Sequence, residues 1–182
     1  GVEIRCGITV GRDVTIDQLR DEGYTGFYLA IGCQGGRTAG IEGEDGEGVS
    51  TAVDFLRTAL ENPDHKVVGS TVVIGGGNVA IDSSRVSVRC GASKVIMVCL
   101  EQRDEMPALP GEIIEAEEDG VGIMSGWGPA RIELAEDGSV KGVTFKRCTR
   151  VFDDRGRFSP AYDEDDTTFI ACENVVLSIG QS

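Results

Sequence analysis

The sequence predicts an α/β chain in which a parallel sheet with flanking helices carries an inserted antiparallel β-meander. Three observations predict it. The stretch Ser70-Thr-Val-Val-Ile-Gly75-Gly-Gly77-Asn-Val-Ala80-Ile-Asp82 is an apolar run that breaks into glycines and restarts at helical spacing, the pattern of strand, tight turn and helix. Residues 94–101, Lys-Val-Ile-Met-Val-Cys-Leu-Glu, form a continuous apolar run, as in a parallel strand covered on both faces. From Val121 the apolar residues alternate with period two, which marks antiparallel strands.

In chain order, residues 1–10 alternate as a strand would, with Val2, Ile4 and Cys6 on one face. The segment opens without a start methionine and reads as the middle of a longer protein. Residues 15–23 form a short capped helix ending at Gly23. Residues 27–34 are an apolar strand running into Gly32, and residues 174–181 repeat the device with Ile179-Gly180-Gln181. Paired crossovers into and out of a domain would explain both strand ends. Between Gly35 and Gly48 glycines and acids indicate a surface loop. Residues 49–60 read as a helix with Val53, Leu56 and Leu60 on one face. The loop that follows contains His65, which has no nearby Ser, Cys or acid at an instructive spacing, so no nucleophile triad is arguable.

A helix over 78–90 stops at Gly91, with the small residues Ala80, Ser84 and Ser87 facing the sheet. Residues 102–111 form a loop, and 112–119 an acidic helix with a solvated face. The meander covers residues 121–173, with turns at Asp137-Gly138 and 153–156, and Trp127 reads as a packing residue at its base.

The glycine turn carries the chemistry. Gly75 permits the turn, Gly77 lets backbone approach a pyrophosphate with no Cβ in the way, and Ala80 lets the helix lie close to the sheet. The phosphates would sit at the helix N-terminus, where free N–H groups and the positive end of the dipole point at them. An acid closing the next strand accepts from the adenosine ribose hydroxyls, and Glu101 stands there. The expected site is therefore Gly75, Gly76, Gly77, Asn78, Val79 and Ala80 at the pyrophosphate and Glu101 at the ribose. Gln102 and Arg103 fall at the adenine edge, and Gly180 at the nicotinamide end. No catalytic side chain and no metal ligand is expected. The fold class is thus a Rossmann-like parallel sheet, binding NAD(H) in preference to NADP(H), because a 2′-phosphate would meet the Glu101 charge.

A net charge of −14 disfavours nucleic acid and anionic membrane surfaces as partners. No apolar segment reaches the length of a membrane span, and a cytoplasmic location is expected. The six cysteines lie far apart with no C-x-x-C pair, against a structural zinc or an iron–sulfur cluster.

The glycine segment 75–92, the segment Glu101-Gln-Arg-Asp-Glu-Met-Pro-Ala108 and Ile179-Gly180-Gln181 together resemble the pyridine nucleotide-disulfide oxidoreductase superfamily. The likeness is strongest to the small (beta) subunit of glutamate synthase and its relatives, and covers nearly the whole chain. In that family a nicotinamide domain is inserted into a flavin domain through two hinge strands ending in glycine. The resemblance implies a hinge segment over 1–34, an NAD(P)-binding domain over 35–173 and a return hinge strand over 174–182. It implies FAD in the full-length parent and not in this fragment, whose partners would be its own FAD domain and a larger oxidoreductase subunit. The isolated domain would be inactive without the FAD domain. The family's FAD fingerprint and cysteine-rich iron–sulfur region are not found in these residues. Leu100-Glu101 stands where many relatives carry two arginines.

Other classes explain less. A short-chain dehydrogenase needs Tyr-x-x-x-Lys, and none of Tyr24, Tyr28 or Tyr162 has a lysine four residues on. A methyltransferase would leave Gly77 unexplained, since S-adenosylmethionine has no pyrophosphate. A third reading is a non-catalytic adaptor that uses its acidic face against a basic partner, which coenzyme binding would separate from the others.

Overall fold

The computed structural model describes residues 1–181. The chain divides into two compact units, Gly1–Gly32 and the remainder from Cys33, each described by itself. In the first, α1 (Ile16–Asp21) begins in a capping box: Thr15 Oγ1 accepts from the Gln18 N–H at 3.1 Å, and the Thr15 N–H donates to Gln18 Oε1 at 2.8 Å. The strands expected over 1–10 and 27–34 do not form. Val2, Ile4, Tyr28 and Leu29 stand exposed instead. A strand needs a neighbour for its N–H and C=O groups, and alternation alone supplies none.

The second unit runs β1 (Val49–Thr51), α2 (Ala52–Glu61), β2 (Ser70–Ile74), α3 (Asn78–Arg89), β3 (Lys94–Cys99), α4 (Pro110–Glu118), β4 (Gly122–Ser125), β5 (Trp127–Leu134), β6 (Val140–Phe152), β7 (Phe158–Ala171) and β8 (Asn174–Leu177). Five strands form one parallel sheet in the order β1-β8-β2-β3-β4. β5, β6 and β7 form an antiparallel sheet. The meander therefore starts later than expected. Residues 122–125 extend the parallel sheet beside β3, and Gly126, at a φ of 76°, turns the chain out of it into β5. The helix expected from residue 49 also starts later, since 49–51 pair with β8 and Thr51 caps α2 through its side chain.

Both faces of the parallel sheet are covered, which is why β2 and β3 read as unbroken apolar runs. Val73, Met97 and Val176 pack beneath the helices, while Val72, Val98 and Val175 meet Val143 and Phe145 of the antiparallel sheet. α3 lies close to the sheet because Ala80, Ser83, Ser84 and Ser87 are small and fully buried. The Ser84 and Ser87 hydroxyls are satisfied by the carbonyls one turn back, each at 2.7 Å. The acidic face of α4 is more than a solvated surface. Arg85 of α3 donates to Asp119 at 2.7 Å and to Glu115 at 2.5 Å, and this holds the Asp119 carboxyl below its ordinary range.

Candidate functional site

The order of the strands places a site before any side chain is considered. From central β2 the chain crosses to β3 and β4 on one side, while β8 and β1 lie on the other. A crevice opens where the connections part, at the carboxyl end of β2. Residues 75–77 stand there. Gly75 has a φ of 145°, and a Cβ on it would overlap the Ser178 carbonyl oxygen at the end of β8. Gly76 is packed against the next strand end: a Cβ there would lie 2.9 Å from Glu101 Oε2 and 3.0 Å from Cys99 Cβ.

Gly77 differs from both. Its φ of −93° suits any residue, and no atom lies within 4 Å of where its Cβ would stand. The protein itself gives no steric or conformational reason for a glycine here. Gly77 is also the N-cap of α3, with no side-chain cap. The Ala80 and Ile81 N–H groups bond back to its carbonyl, whereas the N–H groups of Gly77, Asn78 and Val79 have no partner among the described residues. Three free donors at the positive end of a twelve-residue helix, beside an unhindered glycine, are able to hold an anion pressed against the backbone.

Gly75, Gly76, Gly77, Glu101 and Gly180 line one cavity of about 320 Å³, together with apolar residues that include Trp127, Pro129 and Phe158. Asn78 and Val79 line an adjoining cavity of about 400 Å³ that shares Gly77 and Gly180. Ala80 is fully buried under the helix, so its part is to set the helix height. The Asn78 side chain faces the protein, where Oδ1 accepts from the Leu109 N–H at 2.8 Å. Gln102 lies against Gly126, and Arg103 turns away to pair with Glu117 at 2.7 Å. Neither lines the cavity.

Trp127 is both the packing residue expected and a cavity wall: it is buried, with the Arg147 guanidinium 3.9 Å above its ring. Phe158 and Pro129 were not legible in the sequence, since both depend on how the meander folds back over the sheet. Cys99 also lines the cavity, and burial, with the Glu101 charge, pushes its thiol up to about 12. Near the second glycine-ended segment, Gly36 bridges Gln181, and the Arg37 N–H donates to the Gly180 carbonyl at 3.2 Å. Among the described residues no cluster of His, Cys, Asp and Glu could hold a metal ion, and no helix is long and apolar enough to cross a membrane.

The fold is shared with solved structures. FprA from Mycobacterium tuberculosis, solved with NADPH, matches 96 % of this chain over 54 % of its own, with a TM-score of 0.73 at 18 % identity. An FAD-dependent pyridine nucleotide-disulphide oxidoreductase from Desulfovibrio vulgaris shares the fold at a TM-score of 0.55 and 19 % identity, over 82 % of this chain and 35 % of its own. In sequence, the chain is a homologue of one segment of the glutamate synthase small chain and of related oxidoreductase beta subunits. It is 36 % identical over 160 residues to the glutamate synthase [NADPH] small chain of Escherichia coli, covering 81 % of this chain and 33 % of that one. It is 36 % identical over 189 residues to the NADP(+)-dependent formate dehydrogenase subunit beta of Moorella thermoacetica, covering 100 % of this chain and 26 % of that one. The NAD-dependent dihydropyrimidine dehydrogenase subunit PreT of Escherichia coli is 34 % identical over 182 residues, with 100 % and 39 % covered. The chain thus spans from about a quarter to two fifths of the length of these relatives. No model of a known protein family matches it.

Proposed function

We propose that this chain is the nicotinamide-dinucleotide-binding domain of an FAD-dependent oxidoreductase like the glutamate synthase small subunit, and that it presents the nicotinamide for hydride transfer to the flavin. The observation that carries this reading is Gly77, whose absent Cβ leaves open space above three free N–H groups. Gly75, Gly76, Asn78, Val79 and Ala80 complete the pyrophosphate cradle, Glu101 meets the ribose, and Gly180 stands at the nicotinamide end. In this reading Gln102 and Arg103 do not touch the coenzyme. The protein's work is to hold and aim the ring, and the nicotinamide supplies the hydride when bound.

In the domain plan that goes with this reading, residues 1–34 and 174–182 are the passages to and from a flavin domain, and 35–173 is the insert. The bridge between Gly36 and Gln181 supports it, as do the exposed apolar residues of segments 2–10 and 27–32, which await a sheet to join. FAD then belongs to the rest of the full-length protein, whose partners would include a larger oxidoreductase subunit in the cytoplasm.

The expected preference for NADH finds no support among the relatives, whose names lean to NADP(H), with PreT on the NAD side. NADPH is therefore the coenzyme to test first. Calorimetry with NADPH, NADH and S-adenosylmethionine tests the whole reading. Micromolar binding of a nicotinamide dinucleotide, and none of S-adenosylmethionine, is the expected result. Absence of any dinucleotide binding would refute it.

A further inference from the structure

Strands β6 and β7 continue well past the sheet they share with β5, forming a two-stranded arm that ends in Phe152 and Phe158. Three register shifts interrupt the pairing, at Lys146/Arg147, Cys148/Arg150 and Arg150/Phe152. Each such irregularity bends a strand pair and tightens its twist. The bent arm reaches the carboxyl edge of the parallel sheet, where Phe158 joins the wall of the cavity that holds Gly75, Gly76, Gly77 and Glu101. On its other side Phe158 lines a second cavity, and the two share Leu100, Pro129 and Ile179. Phe158 is thus a partition at the open edge of the groove.

The ring is placed firmly enough to act there. Phe152 meets it edge to face with centroids 6.2 Å apart. The tip is tied by Asp153, which accepts from the N–H groups of Arg155 and Arg157, both at 2.9 Å, and from the Arg157 guanidinium. Yet Phe158 remains 65 % exposed. Trp127, the other aromatic wall, has little surface left to give, since it is 8 % exposed and stacked under Arg147.

We propose that Phe158 stacks on the adenine ring of the bound dinucleotide and closes the open side of the groove over it. The proposal rests on the dinucleotide reading above. It assigns the ring to adenine because the nicotinamide must keep a face free for the flavin, whereas adenine takes no part in the chemistry and gains from being covered on both sides.

Calorimetry on the 182-residue chain tests this with NADPH and with its 2′-phosphorylated ADP-ribose moiety, which keeps the adenosine half with its 2′-phosphate and lacks nicotinamide. Phe158→Ala should weaken both by about tenfold, the size of a lost base stack, while Phe158→Tyr, which restores the ring, stays within about twofold of the unaltered chain. Phe158→Leu, which keeps bulk without an aromatic face, should lose most of the same affinity. Energy transfer from Trp127, the chain's one tryptophan, to bound NADPH reports the same binding independently. Equal affinity of Phe158→Ala and the unaltered chain for both ligands would overturn the proposal and leave the dinucleotide reading standing. Loss of NADPH binding alone, with the 2′-phosphorylated ADP-ribose untouched, would place the ring on the nicotinamide and overturn it too. Failure of the unaltered chain to bind either ligand would bring down the dinucleotide reading itself.

Discussion

Asn78 Oδ1 accepts a hydrogen bond from the Leu109 N–H at 2.8 Å, which ties the first residue of α3 to the N-cap of α4. The Ala108 N–H adds a second tie, to the Gly76 carbonyl at 3.1 Å. These bonds fasten the loop after β3 onto the glycine turn. Leu109 has no side-chain cap to offer α4, so the amide of a neighbouring helix does part of that work. Asn78→Ala should cost about 1 kcal/mol. Hydrogen exchange would show it as faster exchange at Leu109 and in the loop before it, with the sheet amides unchanged.

Two glycines two residues apart should fail in opposite ways. Gly75→Ala forces a Cβ into the Ser178 carbonyl at a φ of 145°, so it should destabilise the fold by about 2 kcal/mol or more, read as a lower melting temperature. Gly77→Val has backbone and space to spare, and its circular dichroism and melting should hold. Its NADPH affinity should nonetheless fall at least tenfold, about 1.4 kcal/mol. A Gly77→Val chain that binds as before would move the site elsewhere.

Glu101 bears on the choice between coenzymes whichever one wins. Its carboxylate folds over Gly76, and Arg103, the cation two residues on, is engaged with Glu117. A 2′-phosphate carries about two negative charges. Glu101→Gln should therefore shift the ratio of NADPH to NADH affinity toward NADPH by about fivefold or more, roughly 1 kcal/mol. An unchanged ratio in paired titrations would show that Glu101 does not meet the ribose.

The thiols give a test that needs no ligand. Cys6 and Cys33 are exposed and should react quickly with a disulfide reagent, Cys90 more slowly, and Cys99, Cys148 and Cys172 only on unfolding. Burial raises the Cys99 and Cys172 thiols from 9.0 to about 12. Between those values the unfolded chain has released protons that the native chain still holds. Stability is then fully present below pH 9 and falls as pH rises toward 12. Urea midpoints at pH 8 and pH 10 should show the drop, and Cys99→Ala should lessen it.

The parallel strands, α3 and the glycine turn were legible because each is specified locally, by apolar runs, small residues at helical spacing and glycines at a turn. The segments over 1–10 and 27–34 carry a strand pattern and form none, since pairing is a property of two segments and periodicity describes only one. Residues 122–125 were misread for the converse reason: a four-residue strand has too few alternations to show which sheet it joins. At the site, Gly77 and Glu101 could be placed by spacing from the turn. Gln102 and Arg103 follow Glu101 in sequence yet turn elsewhere, Gln102 to pack beside Gly126 and Arg103 to pair with Glu117 across the fold. Phe158 comes to the groove through three irregularities in strand pairing, none of which has a signature in composition.

The bridge between Gly36 and Gln181 has a use beyond joining two stretches of chain. It brings the points of entry and exit of residues 37–180 to within a strand spacing, about 5 Å. A segment whose two ends sit so close adds little closure entropy to any loop that receives it. Such a piece is portable: it could be grafted into a surface turn of an unrelated host, or its ends fused and the chain reopened elsewhere, with its parallel sheet undisturbed.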